Sequence, residues 1–280
     1  MQNVYNMKSC VTISLVPSLK GGPWILWDDI EKSLRAASEL GFEGVELFTA
    51  GPSINTETPL RDLLHRYNLS LGAVGTGAGK VLHGLTLTDS DLSVRNKGKD
   101  FIKEIIRFGA ENEAPAILGS MQGSFSNELP RDTAIEYLRD SLEELGEFSI
   151  SEGTFFIYEP LNRYETNLFN LFDEACSFAK SLQTKGVKVL ADLFHMNIEE
   201  SDIAASIERQ GDTIGHVHFA DSNRRAVGYG HTNINSIRDS LKKINYQGYI
   251  SAEAFAWPDP ITAAKQTIDS YRKFFLKSDM

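Results

Sequence analysis

Three carboxylates and one imidazole, Glu159, Asp192, His218 and Glu253, each close or nearly close a short apolar run rich in β-forming residues. The run Thr154–Tyr158 is stopped by Glu159-Pro160, and Asn162, Arg163, Glu165 and Asn167 follow at once. A buried parallel strand has this composition, and proline cannot continue its ladder. Glu159 therefore stands where a buried strand opens into a loop, and a carboxylate there must be protonated, paired with a cation or bound to a metal. Asp192 ends the run VKVLAD, His218 lies near the end of TIGHVHF, and Glu253 near the end of YISAEAF. Three carboxylates packed together repel one another, whereas one divalent ion neutralises most of their charge and accepts all four side chains as ligands.

The elements that must position these residues alternate strictly. Apolar runs at Cys10–Val16, Gly44–Phe48, Leu69–Val74, Pro115–Met121, Thr154–Tyr158, Val187–Asp192, Thr213–Phe219 and Tyr249–Phe255 predict strands. Amphipathic stretches predict helices at Asp28–Leu40, Pro59–Tyr67, Asp91–Asn112, Arg131–Ser149, Leu168–Leu182, Ile203–Arg209, Asn235–Ile244 and Pro260–Phe275. In the first of these Ile30, Leu34, Ala37 and Leu40 share a face, and Gly41 follows where a left-handed C-cap belongs. Eight strand–helix units with no linker predict an α/β protein, a single-domain (β/α)8 TIM barrel over residues 1–280. An open doubly wound sheet is the alternative; no GxGxxG lies between a strand and its helix, which disfavours the dinucleotide-binding form. A barrel brings the C-terminal strand ends to one face, so the four residues converge from its last four strands. Singly, each has an ordinary explanation as a satisfied interior polar group. Their equivalent depth on consecutive strands favours a metal.

Composition narrows the partner. The 280 residues carry a net charge of -10, not gathered in a tail, which argues against nucleic acid or acidic lipid and for a small substrate. Cys10 and Cys176 are isolated and read as buried thiols, which favours a reducing compartment. The first twenty residues lack a long apolar core or a cleavage site, no segment is long enough to span a membrane, and the cytoplasm is the expected location. A homo-oligomer is compatible with this composition.

As a set, Glu159-Pro-Leu-Asn-Arg-Tyr-Glu165-Thr-Asn167, Ala191-Asp192-Leu-Phe-His195, His216-Val-His218 with Asn223-Arg224 beyond, and Ala252-Glu253 resemble the xylose-isomerase-like TIM barrels. Within that sugar phosphate isomerase/epimerase superfamily they look most like the ketose 3-epimerases, of which D-tagatose 3-epimerase is one. The resemblance runs through all eight units and is densest from Glu159 to Glu253. It implies that Glu159, Asp192, His218 and Glu253 bind one divalent metal, with Glu159 and Glu253 also serving as the acid/base pair. Glu165, His195 and Arg224 match positions that hold substrate oxygens. Mn²⁺ is the expected ion, with Mg²⁺, Co²⁺ and Zn²⁺ as alternatives, and no organic cofactor is expected.

The chemistry so implied is proton movement at a carbon next to a carbonyl, through an enediolate whose charge a metal stabilises. Two carboxylates on opposite faces of that carbon can remove and return the proton and invert the centre. The same scaffold hosts hydroxypyruvate isomerases, inosose-dehydratase-like lyases and apurinic-endonuclease-like metallonucleases, and a non-catalytic carbohydrate-binding barrel is a further reading. The ordinary readings of His195 and Arg224 are a loop histidine and a surface ion pair. His216 shares the parity of His218 and is expected to support the site from outside the ligand set. His83 and His231 fall in predicted loops; Glu46 is either a pocket or a structural carboxylate. Trp24, Trp27, Phe48 and Trp257 are candidate pocket walls or core. The Gly75–Gly79 loop is unlike a P-loop, and no cluster of Lys and Arg marks a phosphate site.

Overall fold

The computed structural model describes residues 6–27 and 29–276. Its strands are β1 (Lys8–Ser14), β2 (Leu26–Trp27), β3 (Gly44–Phe48), β4 (Ser70–Gly75), β5 (Ala116–Leu118), β6 (Phe156–Tyr158), β7 (Val187–Asp192), β8 (Ile214–His218) and β9 (Tyr249–Ala252). All pairings are parallel, the order β1-β3-β4-β5-β6-β7-β8-β9 closes through β1–β9, and β2 lies against β1. This is the expected eight-stranded (β/α)8 barrel, ringed by helices.

The helices are α1 (Ile30–Leu40), α2 (Leu60–Arg66), α3 (Ala78–His83), α4 (Leu92–Glu111), α5 (Arg131–Ser151), α6 (Phe172–Lys180), α7 (Leu193–Glu199), α8 (Ile203–Gln210), α9 (Ile234–Lys243) and α10 (Pro260–Tyr271). Side-chain oxygens of Asp29, Asp91, Asp202, Asn233 and Asp259 accept from backbone N–H groups at the starts of α1, α4, α8, α9 and α10, satisfying donors that a first turn leaves open. Gly41 ends α1 at φ 85°, the left-handed conformation that glycine adopts without penalty. The expected first residue of that helix, Asp28, lies outside the described residues.

Three elements depart from expectation. The glycine-rich stretch after β4 is not only a loop: it opens α3, so His83 ends a helix rather than sitting in a loop. A second short helix, α7, begins one residue after β7, because Asp192 turns back to cap it. The last strand stops at Ala252 instead of running to Phe255. At that point β2 takes over the edge of β1: β9 pairs with β1 from Lys8 to Val11, and β2 pairs with Ile13 and Ser14. Thr12 joins the two, its hydroxyl donating to Ala252 O at 2.8 Å and accepting from Ile25 N–H at 3.1 Å. Glu253 thereby leaves the ladder while β1 keeps a partner.

The main core lies between strands and helices, where Val11, Ile13, Val45 and Leu47 meet Leu34, Ala37, Ile102 and Ile105. A smaller cluster of Ala73, Ile117, Ile157 and Leu190 is fully buried, with Phe155 beside it. Side chains two apart on a strand share a face. The residues two before Glu159, Asp192, His218 and Glu253 are Ile157, Leu190, His216 and Ser251, all buried. Two layers therefore stack inside the barrel, and half of the lower one is polar. Among the described residues no helix is long and apolar enough to cross a membrane.

Candidate metal and substrate site

Glu159 follows β6, Asp192 and His218 end β7 and β8, and Glu253 follows β9, so the four strand ends deliver their side chains to one point. One donor atom from each lies within 4.8 Å of all the others. His218 Nδ1 is 3.2 Å from Asp192 Oδ2, 3.4 Å from Glu159 Oε1 and 3.5 Å from Glu253 Oε2. Ligands across a divalent ion at about 2.0–2.6 Å stand roughly 4–5 Å apart, so the donor set fits one cation in size. It also fits in chemistry, because hard carboxylate oxygens and one imidazole suit Mn²⁺ or Mg²⁺. Glu159 Oε1 is buried and makes no hydrogen bond. Such an atom costs free energy unless a cation or water meets it.

The residues around this point divide their two ends between structure and site. Asp192 Oδ1 accepts from the N–H groups of Phe194 and His195, while Oδ2 faces inward. Capping α7 in this way brings His195 over the site, with Nε2 3.7 Å from Asp192 Oδ2 and 3.8 Å from Glu159 Oε1. The N–H of Asn162 donates to His195 Nδ1 at 3.2 Å, and the inward Nε2 lies 3.2 Å from Arg224 Nη1. His195 is thus a helical, buried residue and not a loop histidine. Glu165, about half exposed, accepts from Asn162 Nδ2 at 3.0 Å on the outer side.

Arg224 corrects the surface ion-pair reading. It is buried, has φ 57°, and pairs with both Asp192 and Glu253 while its guanidinium lies 4.7 Å from the Phe194 ring centre. Its carbonyl accepts from Phe255 N–H at 2.8 Å, tying the loop after β8 to the segment that carries Glu253. The Trp257 and Trp27 rings do not line the cavity; Trp257 packs against Arg225 and Tyr229.

The cavity above the four residues has a volume of about 250 Å³. Its opposite wall is apolar: Trp24 and Phe48, with ring centres 4.1 Å apart, together with Val81, Ile117 and Leu161. Glu46 also borders it, yet its oxygens are engaged below. Oε2 accepts from His216 Nε2 and Ser251 Oγ, both at 2.8 Å, and Oε1 from His218 Nε2 at 3.2 Å. Sequence reasoning placed His216 outside the ligand set, left Glu46 open between pocket and structural carboxylate, and missed Ser251. The pairing of Ser251 with His218 across β8–β9 was hidden because register is not written in either strand alone.

Electrostatics follow from these contacts. Burial pushes the Glu253 carboxyl up to about 8, with Glu159 and Asp192 adding to the rise against the pull of Arg224 and His218. Burial also opposes ionisation of Asp192, but His195, Arg224 and His218 outweigh it and hold the carboxyl below its usual range. His218 is held charged well above the usual imidazole range, because Glu46, Glu253 and Asp192 overcome the cost of burial.

Residues 34–274 match the family model described as xylose isomerase-like TIM barrel. An L-ribulose 3-epimerase from Methylomonas sp. (strain DH-1) is 25% identical over 269 residues, 92% of each chain. A D-psicose 3-epimerase from Agrobacterium fabrum is 30% identical over 244 residues, 85% of this chain and 80% of that one. The crystal structure of D-psicose 3-epimerase with D-tagatose, from Clostridium cellulolyticum H10, superposes with a TM-score of 0.80 at 23% identity, covering 96% of this chain and 99% of that one. Fold, family model and relatives agree: the chain belongs to the xylose isomerase-like TIM barrels.

Proposed function

We propose that this protein is a divalent-metal-dependent epimerase of free ketoses, acting at the carbon next to the carbonyl. The observation that carries this reading is the convergence of Glu159, Asp192, His218 and Glu253 on one point, with Glu159 Oε1 buried and without a hydrogen bond. These four would hold the ion, which when bound would stabilise negative charge developing on the substrate oxygens. Glu159 and Glu253, from strands that are not neighbours, are the acid/base pair. Arg224 and His195 orient the substrate and support its oxygens, and Glu165 meets it from the outer side. The relatives are named for epimerisation at position 3 of psicose and ribulose, which supports C3 as the reacting centre.

The distal wall supports an unphosphorylated substrate. Among the described residues, the only cationic side chain lining the cavity apart from the histidines is Arg224, and Asp192 and Glu253 already engage it. A phosphate in the cavity would find no free cation among these residues, while Trp24, Phe48 and Val81 offer it only apolar contact.

The test is to load the protein with Mn²⁺, incubate it in D₂O with D-psicose, D-fructose, D-tagatose or L-ribulose, and follow deuterium at C3 by NMR. Deuterium entry with interconversion of the C3 epimers is expected for at least one free ketose. Absence of exchange with all four, or preference for a 6-phosphate ester, would overturn the reading.

A further inference from the structure

The polar half of the lower layer, His216 and Ser251, is joined through Glu46 to His218 above it. Glu46 comes from β3, His216 and His218 from β8, and Ser251 from β9, so the network crosses the barrel interior between strands that are not neighbours. All four side chains are buried, and both Glu46 oxygens are occupied. A carboxylate accepting from two rings and a hydroxyl cannot turn without stranding a buried donor.

We infer that Glu46 is a positioning residue that fixes His218 with its proton on Nε2 and its lone pair on Nδ1, the atom facing Glu159, Asp192 and Glu253. A neutral imidazole carries one ring proton, and the hydrogen bond made by one nitrogen decides which nitrogen is free to act as a ligand. Both His218 nitrogens stand 3.2 Å from a carboxylate oxygen, Nε2 from Glu46 and Nδ1 from Asp192; a cation held on Nδ1 would displace the proton there, while Nε2 keeps its proton toward Glu46, which accepts only. Ser251 and His216 hold Glu46 in place, and Ser251 does so from the position in register with His218. Ligand orientation is therefore set from strands β3 and β9 as well as from β8.

This inference rests on the reading of His218 as a metal ligand, and the tests separate the two. The first uses the unaltered protein loaded with diamagnetic Zn²⁺ and ¹⁵N-labelled at histidine: two-bond ¹H–¹⁵N correlations should show the His218 proton on Nε2. A proton on Nδ1 overturns the inference. The second measures Mn²⁺ affinity by calorimetry and by EPR of the free ion in Glu46→Gln and Ser251→Ala, with circular dichroism confirming the fold. The amide of Glu46→Gln cannot accept from all three donors, so affinity should fall about 10–100-fold, the usual loss for a partner of a ligating histidine. Ser251→Ala should lose less, in the same direction. Unchanged affinity in folded Glu46→Gln overturns this inference and leaves the parent reading intact. If Glu46→Gln does not fold, Ser251→Ala and the ¹⁵N measurement decide. An unaltered protein that binds no Mn²⁺ overturns both.

Discussion

Glu46 and Glu253 are buried glutamates inside one barrel, about one layer apart, and they hold their protons in opposite ways. Burial disfavours the charge of both. At Glu46 the neighbouring His218 and His216 more than offset it and hold the carboxyl below its usual range. At Glu253 the neighbours include two further carboxylates, Glu159 and Asp192, and the carboxyl rises to about 8. The same side chain is a fixed anion where donors alone surround it and keeps its proton where further carboxylates crowd it. The lower layer is built to be satisfied without help, and the upper layer is built to need a cation or a proton.

The largest effect should come from removing the carrier. Glu253→Gln keeps an oxygen and should lower turnover of the best ketose about 10²–10⁴-fold, while deuterium still enters on the face served by Glu159. Near-full epimerisation by this variant, followed by NMR in D₂O, would remove Glu253 from the mechanism. Breaking the fixed anion should instead cost stability: Glu46→Leu strands three buried donors and should lower the unfolding free energy by about 3–5 kcal/mol in urea titrations. A loss below about 1 kcal/mol would mean that the lower layer is not the rigid platform described here. Gly119→Ala sharpens the contrast, since an added Cβ would stand 2.6 Å from Glu159 Oε2. Mn²⁺ affinity should drop about tenfold, equivalent to about 1.4 kcal/mol, measured by calorimetry.

The smallest effect is a slope. In metal-free protein the Glu253 carboxyl stays protonated up to about 8, whereas in the unfolded chain it ionises near its ordinary value of 4.5. Between those values the folded state holds the extra proton, so the Glu253 contribution to stability falls as pH rises. Glu46 runs the other way: its contribution is present above 4.5 and is lost as pH falls. Thermal melts of the metal-free protein from pH 5 to 8 should show a decline that Glu253→Gln flattens. An equal decline in the variant would assign the slope to another group.

Much of this was legible beforehand. The eight strands and the depth of Glu159, Asp192, His218 and Glu253 are carried by period-2 and period-3.6 patterns, which survive in a single chain. What was hidden depends on partners distant in sequence. Glu46 acquires its role from His216 and His218, 170 and 172 residues away. The two-residue β2 has too little pattern to detect, and α7 exists because Asp192 caps it, a side-chain choice that a strand-ending aspartate does not announce. Arg224 was singled out through the resemblance, but its burial was not legible: charge suggests a surface position, and only the converging Asp192 and Glu253 explain it.

The Thr12 hydroxyl also bears on how the chain folds. It links residues 240 positions apart, so the seam between β1 and β9 closes nearly the whole sequence into one loop. Contacts of such long range are slow to form, whereas β6, β7 and β8 pair through much shorter connections. Glu159, Asp192 and His218 can therefore assemble as an early group, and Glu253 joins them only when the last strand docks on the first. Binding of a divalent ion by all four would then mark the moment of barrel closure, giving refolding kinetics a signal that strand formation alone does not supply.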